Sequence, residues 1–533
     1  MLKLFKNRPT KSFSQQNFLS SATQKQQLSQ INFQNYEVSF KSKSTSTLLR
    51  GLFVFSACKV QLLVNNSEKL LKLSSRVFGE KVTSFVLKKS FFGHFCAGED
   101  ELSIKPTIKQ LENAGVGSIL DYAAESDLSS DEAVVKDVAV KNIQCRVYDY
   151  KNEDLCDFHT TIFAKCIRAV KAVSPTGFAA IKCTALGNPE LLKRVSTTLL
   201  EIKNLFIKLD PSNSGFVHKD DFLKTFSTLV DGKNALSYFD GLDADKDDKI
   251  NYIEWTNGLD ILQLHLLTAH CTTKGPLFAS QLNEEERILF TKMKQRLFSL
   301  ASLAQSQGVR LMIDAEQSYF QPAIDNLTTT LFKQFNSVHK DPVIFSTYQM
   351  YLKDTKHRLD VDLDRALNGN YKFAAKLVRG AYMDLERSIG METGLGDPVN
   401  ESIEITHRAY NDAVYKLIRF IAQGRPIEVM IASHNQQSVE YALQAMQEYQ
   451  LDPQSSPIYF GQLLGMSDHL TYSLGAYGYK AYKYVPYGKV SEVMPYLIRR
   501  AQENSSALSG ADNEIAMILL ELKRRLRRLF FSS

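Results

Sequence analysis

The chain reads as an α/β protein built on a closed (β/α)8 TIM-like barrel, with a helical region before it and a helical insert inside it. Three observations predict this. Eight short apolar runs alternate with longer amphipathic stretches from residue 118 onward, the rhythm of strands each followed by a helix. Polar residues recur at or just beyond the ends of these runs: Asp121, Lys182, Asp314, Gln349, Arg379, His434 and Tyr484. In a barrel all such ends converge on one face, so a polar residue on most of them describes a lined mouth. No GxGxxG follows any run, which leaves an open doubly wound dinucleotide sheet with little support.

The first 36 residues carry Lys3, Lys6, Arg8, Lys11 and Lys25, with Ser, Gln, Asn and Thr between them and no acidic residue before Glu37. That cationic, acid-poor make-up is expected of a mitochondrial transit peptide, so residues 1–45 are read as a disordered leader; a plain polar tail shares the composition. Residues 46–115 are expected to form a helical arm, because "LLRGLFVFSACKVQLLV" and "SEKLLKLSSRVFGEKV" return apolar residues at three and four. The barrel then occupies 116–190 and 290–510. Its strands are expected at 118–123, 178–183, 310–315, 343–348, 373–378, 427–432, 457–461 and 480–485, with helices such as 404–422 and 436–450 between the later ones.

The interruption at 191–268 is too long for one helix and holds "DPSNSGFVHKDD" and "DADKDDKINYIE". In an EF-hand loop a hard cation takes oxygens from positions 1, 3, 5, 7, 9 and 12 of a tight turn. The second loop supplies Asp243, Asp245, Asp247, the Lys249 carbonyl, Asn251 and Glu254, with Asp248 where glycine is usual. The first supplies Asp210, Ser212, Ser214, the Phe216 carbonyl, His218 and Asp221; its shorter final carboxylate should bind Ca2+ more weakly. Val217 and Ile250 stand where paired loops form a small β-bridge. The last segment, 511–533, contains "IAMILLELKRRLRRLF", a basic amphipathic helix that suits either an anionic membrane surface or packing on the barrel.

Bulk properties narrow the function classes. A chain of 533 residues with 44% hydrophobic and 23% charged residues is an ordinary globular protein. Its net charge of +6 is modest, and without an aromatic-interleaved basic module no nucleic-acid partner is expected. Seven cysteines without a CxxC pair point to reduced thiols in a non-secretory compartment. No uninterrupted run of about 20 apolar residues occurs, so no membrane-spanning helix is expected.

The segments "FGHFCAGED", "IDAEQSYFQP", "KLVRGAYMDLER", "YFGQLLGM" and "KYVPYGKVSEVMPYLIRRAQENSS" stand in this order along the chain. Taken alone, the "RRAQE" within the last is a charge cluster that solvent would accommodate. Together the segments resemble the blocks of the proline dehydrogenase family, nearest to its eukaryotic, single-function branch, over roughly 47–530 outside the insert. The resemblance implies oxidation of L-proline to Δ1-pyrroline-5-carboxylate, hydride passing from C5 to N5 of a non-covalent FAD. It also implies electron transfer to a quinone and a site on the matrix side of mitochondria, at the inner-membrane surface.

By the same resemblance Arg499 and Arg500 hold the substrate carboxylate, for which two planar guanidinium groups are suited. Glu503 and Asp314 would orient them, Tyr382, Tyr484 and Leu463 would wall the ring, and Lys182 and Asp314 would complete a buried polar network. A phenol at Tyr484 leaves little space for a hydroxyl on the ring and favours proline over 4-hydroxyproline. FAD would meet Gln349, Lys376, Arg379, Gly380, Ala381, Thr406, His434 and Asn435. Lys376 stands where bacterial members have Arg, and Met383 replaces an aromatic residue. The competing readings are a 4-hydroxyproline dehydrogenase and a calcium-responsive binding protein on an inactive barrel.

Overall fold

Each of the eight apolar runs is buried on both faces, as a parallel strand must be when helices cover it outside and its neighbours close inside. In the computed structural model they become β1 (Val116–Tyr122), β2 (Phe178–Ile181), β3 (Arg310–Ile313) and β4 (Ile344–Gln349). The ring continues with β5 (Phe373–Val378), β6 (Ile427–Ala432), β7 (Ile458–Leu463) and β8 (Ala481–Tyr487). The strands form one closed parallel barrel in the order β1-β8-β7-β6-β5-β4-β3-β2. The seam is the β1–β8 pair, in register from Val116 opposite Ala481 to Tyr122 opposite Tyr487. The structure describes residues 31–123, 126–127, 146–147, 150–174, 176–230, 232–271, 274–392, 394, 396–506 and 508–531.

Side chains alternate in and out along a strand, and this period of two sorts the barrel into layers. Ile119, Phe178, Ala180, Met312, Phe345, Ala374, Met430, Tyr459 and Tyr482 form the packed interior. Phe178 meets Phe345, Tyr459 and Tyr482 edge-on at 5.2, 5.7 and 5.3 Å. At the strand starts Arg310 lies over Phe178 and Tyr459 at 5.3 and 5.2 Å and donates to the Tyr459 hydroxyl at 2.6 Å, closing that end. A step of two toward the other end brings Lys182, Asp314, Lys376 and Tyr484, and a step of four Gln349 and Leu463, into the same inward register.

The chain around the barrel departs from expectation at its N-terminal side. Residues 1–30 of the expected leader lie outside the described residues. Residues 31–45 are not disordered: α1 (Tyr36–Phe40) forms, and Ser44 caps α2 (Thr45–Cys58) by accepting from the Thr47 amide at 3.1 Å. Phe33 and Phe40 are buried, which explains why this stretch folds. Later elements are α3 (Asp468–Ala476), α4 (Met494–Ser506) and α5 (Leu508–Phe531). Of the two readings of the C-terminal helix, packing is the one realised. Met517 and Ile518 of α5 pack with Phe40, Leu48 and Phe55. The fully buried Glu521 accepts from Arg524 and Arg525, each at 2.7 Å.

Residues Glu190–Lys292, with Tyr319–Ala323, form a compact unit of their own. Its core gathers Phe206, Phe222, Phe226, Phe239 and Trp255, with Trp255 Nε1 donating to the Ile202 carbonyl at 2.9 Å. Two short strands, Phe216–His218 and Lys249–Asn251, pair antiparallel with Val217 opposite Ile250.

Candidate active site at the barrel mouth

Asp314 follows β3 directly, and its amide donates to the Ile181 carbonyl at 2.9 Å, which anchors it to β2. Its carboxylate takes the Lys376 ammonium from β5 through Oδ1 and the Tyr484 hydroxyl from β8 through Oδ2, the latter at 2.8 Å. The Lys376 ammonium also lies 5.4 Å from the centre of the Tyr484 ring. Three strands far apart in the chain therefore converge on one carboxylate. Burial, and then the neighbouring Asp121 and Asp314 charges, push the Tyr484 phenol well above its ordinary pKa. It stays a hydrogen-bond donor at any physiological pH. Asp314, expected beside the guanidinium pair, and Lys376, expected beside the cofactor, thus meet each other at the mouth.

Two residues on, Glu316 is fully buried. It accepts from the Thr184 amide at 3.0 Å and the Thr184 hydroxyl at 2.5 Å, while its own carbonyl accepts from Gln349 Nε2 at 2.7 Å. Burial pushes its carboxyl up to about 7, against the opposing effects of the Thr184 bonds and the Lys182 charge. Lys182, half-buried at the end of β2, thus acts on a carboxylate that sequence reasoning passed over. Glu316 stood inside the "IDAEQSYFQP" block, and a charged residue beside a strand end was the available signal. Glu386 was also passed over; it is buried and accepts from the Ser318 amide at 2.7 Å and from the Ser318 hydroxyl. It fixes the loop after β3 to the helix Met383–Glu392, in front of which Tyr382 is buried.

β8 ends at the mouth, so α4, which follows it, starts there. On α4, Arg499 and Arg500 are only 8% and 7% exposed. Burying two adjacent guanidinium groups is costly unless something faces them. Tyr496 lies beneath both, 5.9 Å from Arg499 and 5.0 Å from Arg500. Arg500 Nη2 donates to Glu503 Oε1 at 2.5 Å, the orienting contact that the spacing suggests. The helix is held by Val493 and Leu497, which pack with Val54, Cys58, Phe92 and Phe95 of the N-terminal arm. The arm is thus part of what positions the arginines.

The residues expected at the cofactor divide. Gln349 is buried at the end of β4. Asn435 caps the helix Gln436–Glu448, its Oδ1 accepting from the Ser438 amide at 2.9 Å. His434 shares a hydrogen bond with the Ser467 hydroxyl at 3.0 Å, and its Nε2 faces the Leu463 amide at 3.5 Å. Thr406 Oγ1 accepts from Asn400 Nδ2 at 3.2 Å. Gly380 has φ of +152°, and a Cβ there would meet the Tyr351 ring at 2.1 Å, so no larger residue fits. Ala381 beside it is exposed. Arg379 sits one residue out of the inward register of Lys376 and turns toward the helix layer, stacked 4.4 Å over Tyr410. There it donates to His407 Nδ1, Ser433 Oγ and Ser438 Oγ at 3.0, 2.7 and 2.8 Å.

In the separate unit, carboxylate oxygens of Asp243, Asp245 and Asp247 all lie within 4.8 Å of one another. Asp248 takes the left-handed conformation that the turn requires, with φ of +60°. Glu254 accepts from the Ala244 and Asn251 amides at 3.1 and 2.9 Å, and Asn251 accepts from the Glu254 amide at 3.0 Å. In the other loop Asp210 accepts from the Ser212 hydroxyl and the Ser214 and Gly215 amides at 2.9, 3.0 and 2.7 Å. Ser214 Oγ donates to the Phe216 carbonyl at 2.9 Å. Asp221 lies on the helix Lys219–Phe226 that leaves this loop.

Comparison with known proteins bears on this geometry. The family model described as proline dehydrogenase matches residues 104–513. The chain is 37% identical to proline dehydrogenase 1, mitochondrial, of Homo sapiens, over 93% of this chain and 90% of that one. It is 36% identical to the Caenorhabditis elegans protein of the same name, over 93% and 88%. It is also 32% identical to the hydroxyproline dehydrogenase of Xenopus laevis, over 91% and 89%. Among solved structures, proline utilization A from Bdellovibrio bacteriovorus inactivated by N-propargylglycine shares the fold. Its TM-score is 0.53 at 15% identity, and the match covers 89% of this chain and 38% of that one. By the extent of the family match and the identity to full-length relatives, the chain belongs to the proline dehydrogenase family.

Proposed function

We propose that the chain oxidises L-proline to Δ1-pyrroline-5-carboxylate with FAD and delivers the electrons to a quinone. The observation that carries this reading is the buried pair Arg499 and Arg500, beside a mouth where Asp314 holds both Lys376 and Tyr484. A small amino acid brings an anion, an amine and an apolar ring. The guanidinium pair takes the anion, and Tyr382, Tyr484 and Leu463 exclude water from the ring. Asp314 keeps the Tyr484 phenol in one place, so the ring wall is rigid. The substrate amine must be neutral for its lone pair to assist loss of hydride from the adjacent carbon, and holding that carbon in a dry pocket lowers the barrier.

Gln349 and Asn435 offer neutral amides, His434 an imidazole, and Gly380–Ala381 an accessible strip of backbone. With Thr406 and the Lys376 cation nearby, this donor set fits the pyrimidine edge and diphosphate of FAD. FAD, when bound, supplies the two-electron acceptor. Such a catalyst belongs on the matrix side of mitochondria, as the names of the relatives suggest, with residues 1–45 including its leader. An acceptor quinone dissolved in a bilayer calls for contact with the inner-membrane surface.

The test is an anaerobic spectrum of the purified protein. A flavin band bleached by proline supports the reading, and a colourless protein that cannot be reconstituted with FAD overturns it. The relatives named hydroxyproline dehydrogenase favour one rival; faster bleaching by 4-hydroxyproline than by proline would establish it. An inactive calcium-responsive barrel is the other, and bleaching by either amino acid excludes it.

For the inserted unit we infer a pair of EF-hands. The second loop binds Ca2+ through Asp243, Asp245, Asp247, the Lys249 carbonyl, Asn251 and Glu254. The first binds it more weakly through Asp210, Ser212, Ser214, the Phe216 carbonyl and Asp221. The converging Asp243, Asp245 and Asp247 carboxylates support this. Calcium titration of wild type and Glu254→Gln tests it, and equal affinity in the two would refute the second site.

A further inference from the structure

Water-soluble helices turn their apolar stripes inward, and two helices of the N-terminal arm do the reverse. Ser67–Phe78 and Glu80–Lys89 are joined by Gly79, whose φ of +80° lets the chain double back at once. They meet through polar side chains, with the Ser74 and Thr83 hydroxyls 3.0 Å apart. No residue of the first helix is buried, and only Thr83 of the second. On the outside, Leu73, Val77 and Phe78 of the first helix and Phe85 of the second are 57%, 63%, 65% and 61% exposed.

Charge indicates what covers this face. Lys69, Lys72 and Arg76 follow the same three-and-four spacing as Leu70, Leu73 and Val77 but are offset by one residue, about 100° round the helix. They form a basic border along the apolar stripe. The second helix adds Lys81, Lys89, which lies over the Phe85 ring at 5.8 Å, and Lys88, which pairs with Glu99; the two helices themselves carry only Glu68 and Glu80. An exposed apolar stripe edged by lysines whose stems can reach outward is the pattern of a helix lying in a lipid interface. Among the described residues, no helix is long and apolar enough to cross a membrane. We propose that this helical hairpin docks the protein on an anionic bilayer surface, its apolar face in the acyl boundary and its lysines at the headgroups. The inference rests on the reading that the electrons go to a quinone in that bilayer. The hairpin leads into Phe91–Phe95, whose Phe92 and Phe95 pack with Val493, just before α4, and with Leu497 of α4. The docking face is thereby tied to the helix that carries Arg499 and Arg500.

The experiment is co-sedimentation of the full chain with vesicles of phosphatidylcholine alone or mixed with phosphatidylserine, alongside gel filtration. Wild type should partition onto the mixed vesicles. The variant carrying Leu73→Ser, Phe78→Ser and Phe85→Ser should bind them on the order of 100-fold more weakly. Lys72→Glu with Lys81→Glu should lose about tenfold on the anionic vesicles. Equal binding by the serine variant overturns the proposal. So does a wild type that ignores vesicles, whether monomeric or forming a dimer that the serine variant dissolves. Proline turnover with a water-soluble acceptor should be unchanged in these variants, and it reports on the catalytic reading whatever the vesicles show.

Discussion

Asp314 shows how much one side chain can organise: its carboxylate takes both Lys376 and Tyr484. Asp314→Ala removes the acceptor of the phenol and leaves a buried ammonium without its counter-charge. We expect kcat/KM for proline to fall by about 100-fold, and Asp314→Asn, which keeps an acceptor, to fall less; steady-state kinetics with an artificial acceptor measure both. Glu316 makes a pH-dependent contribution instead. Burial raises its carboxyl from 4.5 to about 7, so between those values the unfolded chain releases a proton that the folded chain keeps. Stability therefore falls as pH rises through that window and levels off above it, by roughly 3 kcal/mol in all. Melting temperatures of Glu316→Gln should show a flatter profile than wild type from about pH 4.5 to 7. The inward set Lys182, Asp314, Gln349 and Tyr484 was legible because a polar residue an even number of positions beyond a barrel-core residue faces the same way. Arg379, a single residue out of that register, turns instead to the helix layer, which no strand period announces.

At the scale of elements, a buried ion cluster joins pieces that the chain keeps far apart. Asp468, at the start of α3, pairs with Lys43 from the segment between α1 and α2 and, at 2.9 Å, with the fully buried Lys483 of β8. The Asp468 amide donates to Glu514 of α5 at 2.9 Å. Burial alone would raise the Asp468 carboxyl, but the two lysines hold it well below its ordinary value. Lys43→Met should cost about 3 kcal/mol in urea denaturation and make the segment around α1 sensitive to protease. In the acidic loop of the inserted unit Lys246 and Asp248 are both left-handed, at φ of +62° and +60°. Asp248→Gly should stabilise the calcium-free unit by about 1 kcal/mol, read from the emission of Trp255, the single tryptophan. Losing the exposed Lys219–Asp248 pair, 3.2 Å long, matters little beside this.

For the whole molecule, two compact units each have their own apolar core, and separate cores can unfold separately. Trp255 reports on the inserted unit alone. We expect calcium to raise the temperature of its emission change while leaving the temperature at which proline oxidation is lost where it was. A single transition by both measures, shifted together, would refute this. All eight strands could be placed from the chain because burial on both faces writes each as a contiguous apolar run. The antiparallel bridge between Val217 and Ile250 was readable in the same way, since each lies in a short acidic motif of twelve residues. Those are local patterns, determined by period and composition. Which donor meets which carboxylate was not local. Asp314 and Tyr484 are 170 residues apart, and Lys43 and Asp468 are 425 apart. Their pairing exists only once the ring has closed and the arm has packed, so tertiary structure decided it. The same holds for the two amphipathic segments: periodicity gave each a face, and only packing determined that α5 buries Met517 and Ile518 while the hairpin leaves its face outside.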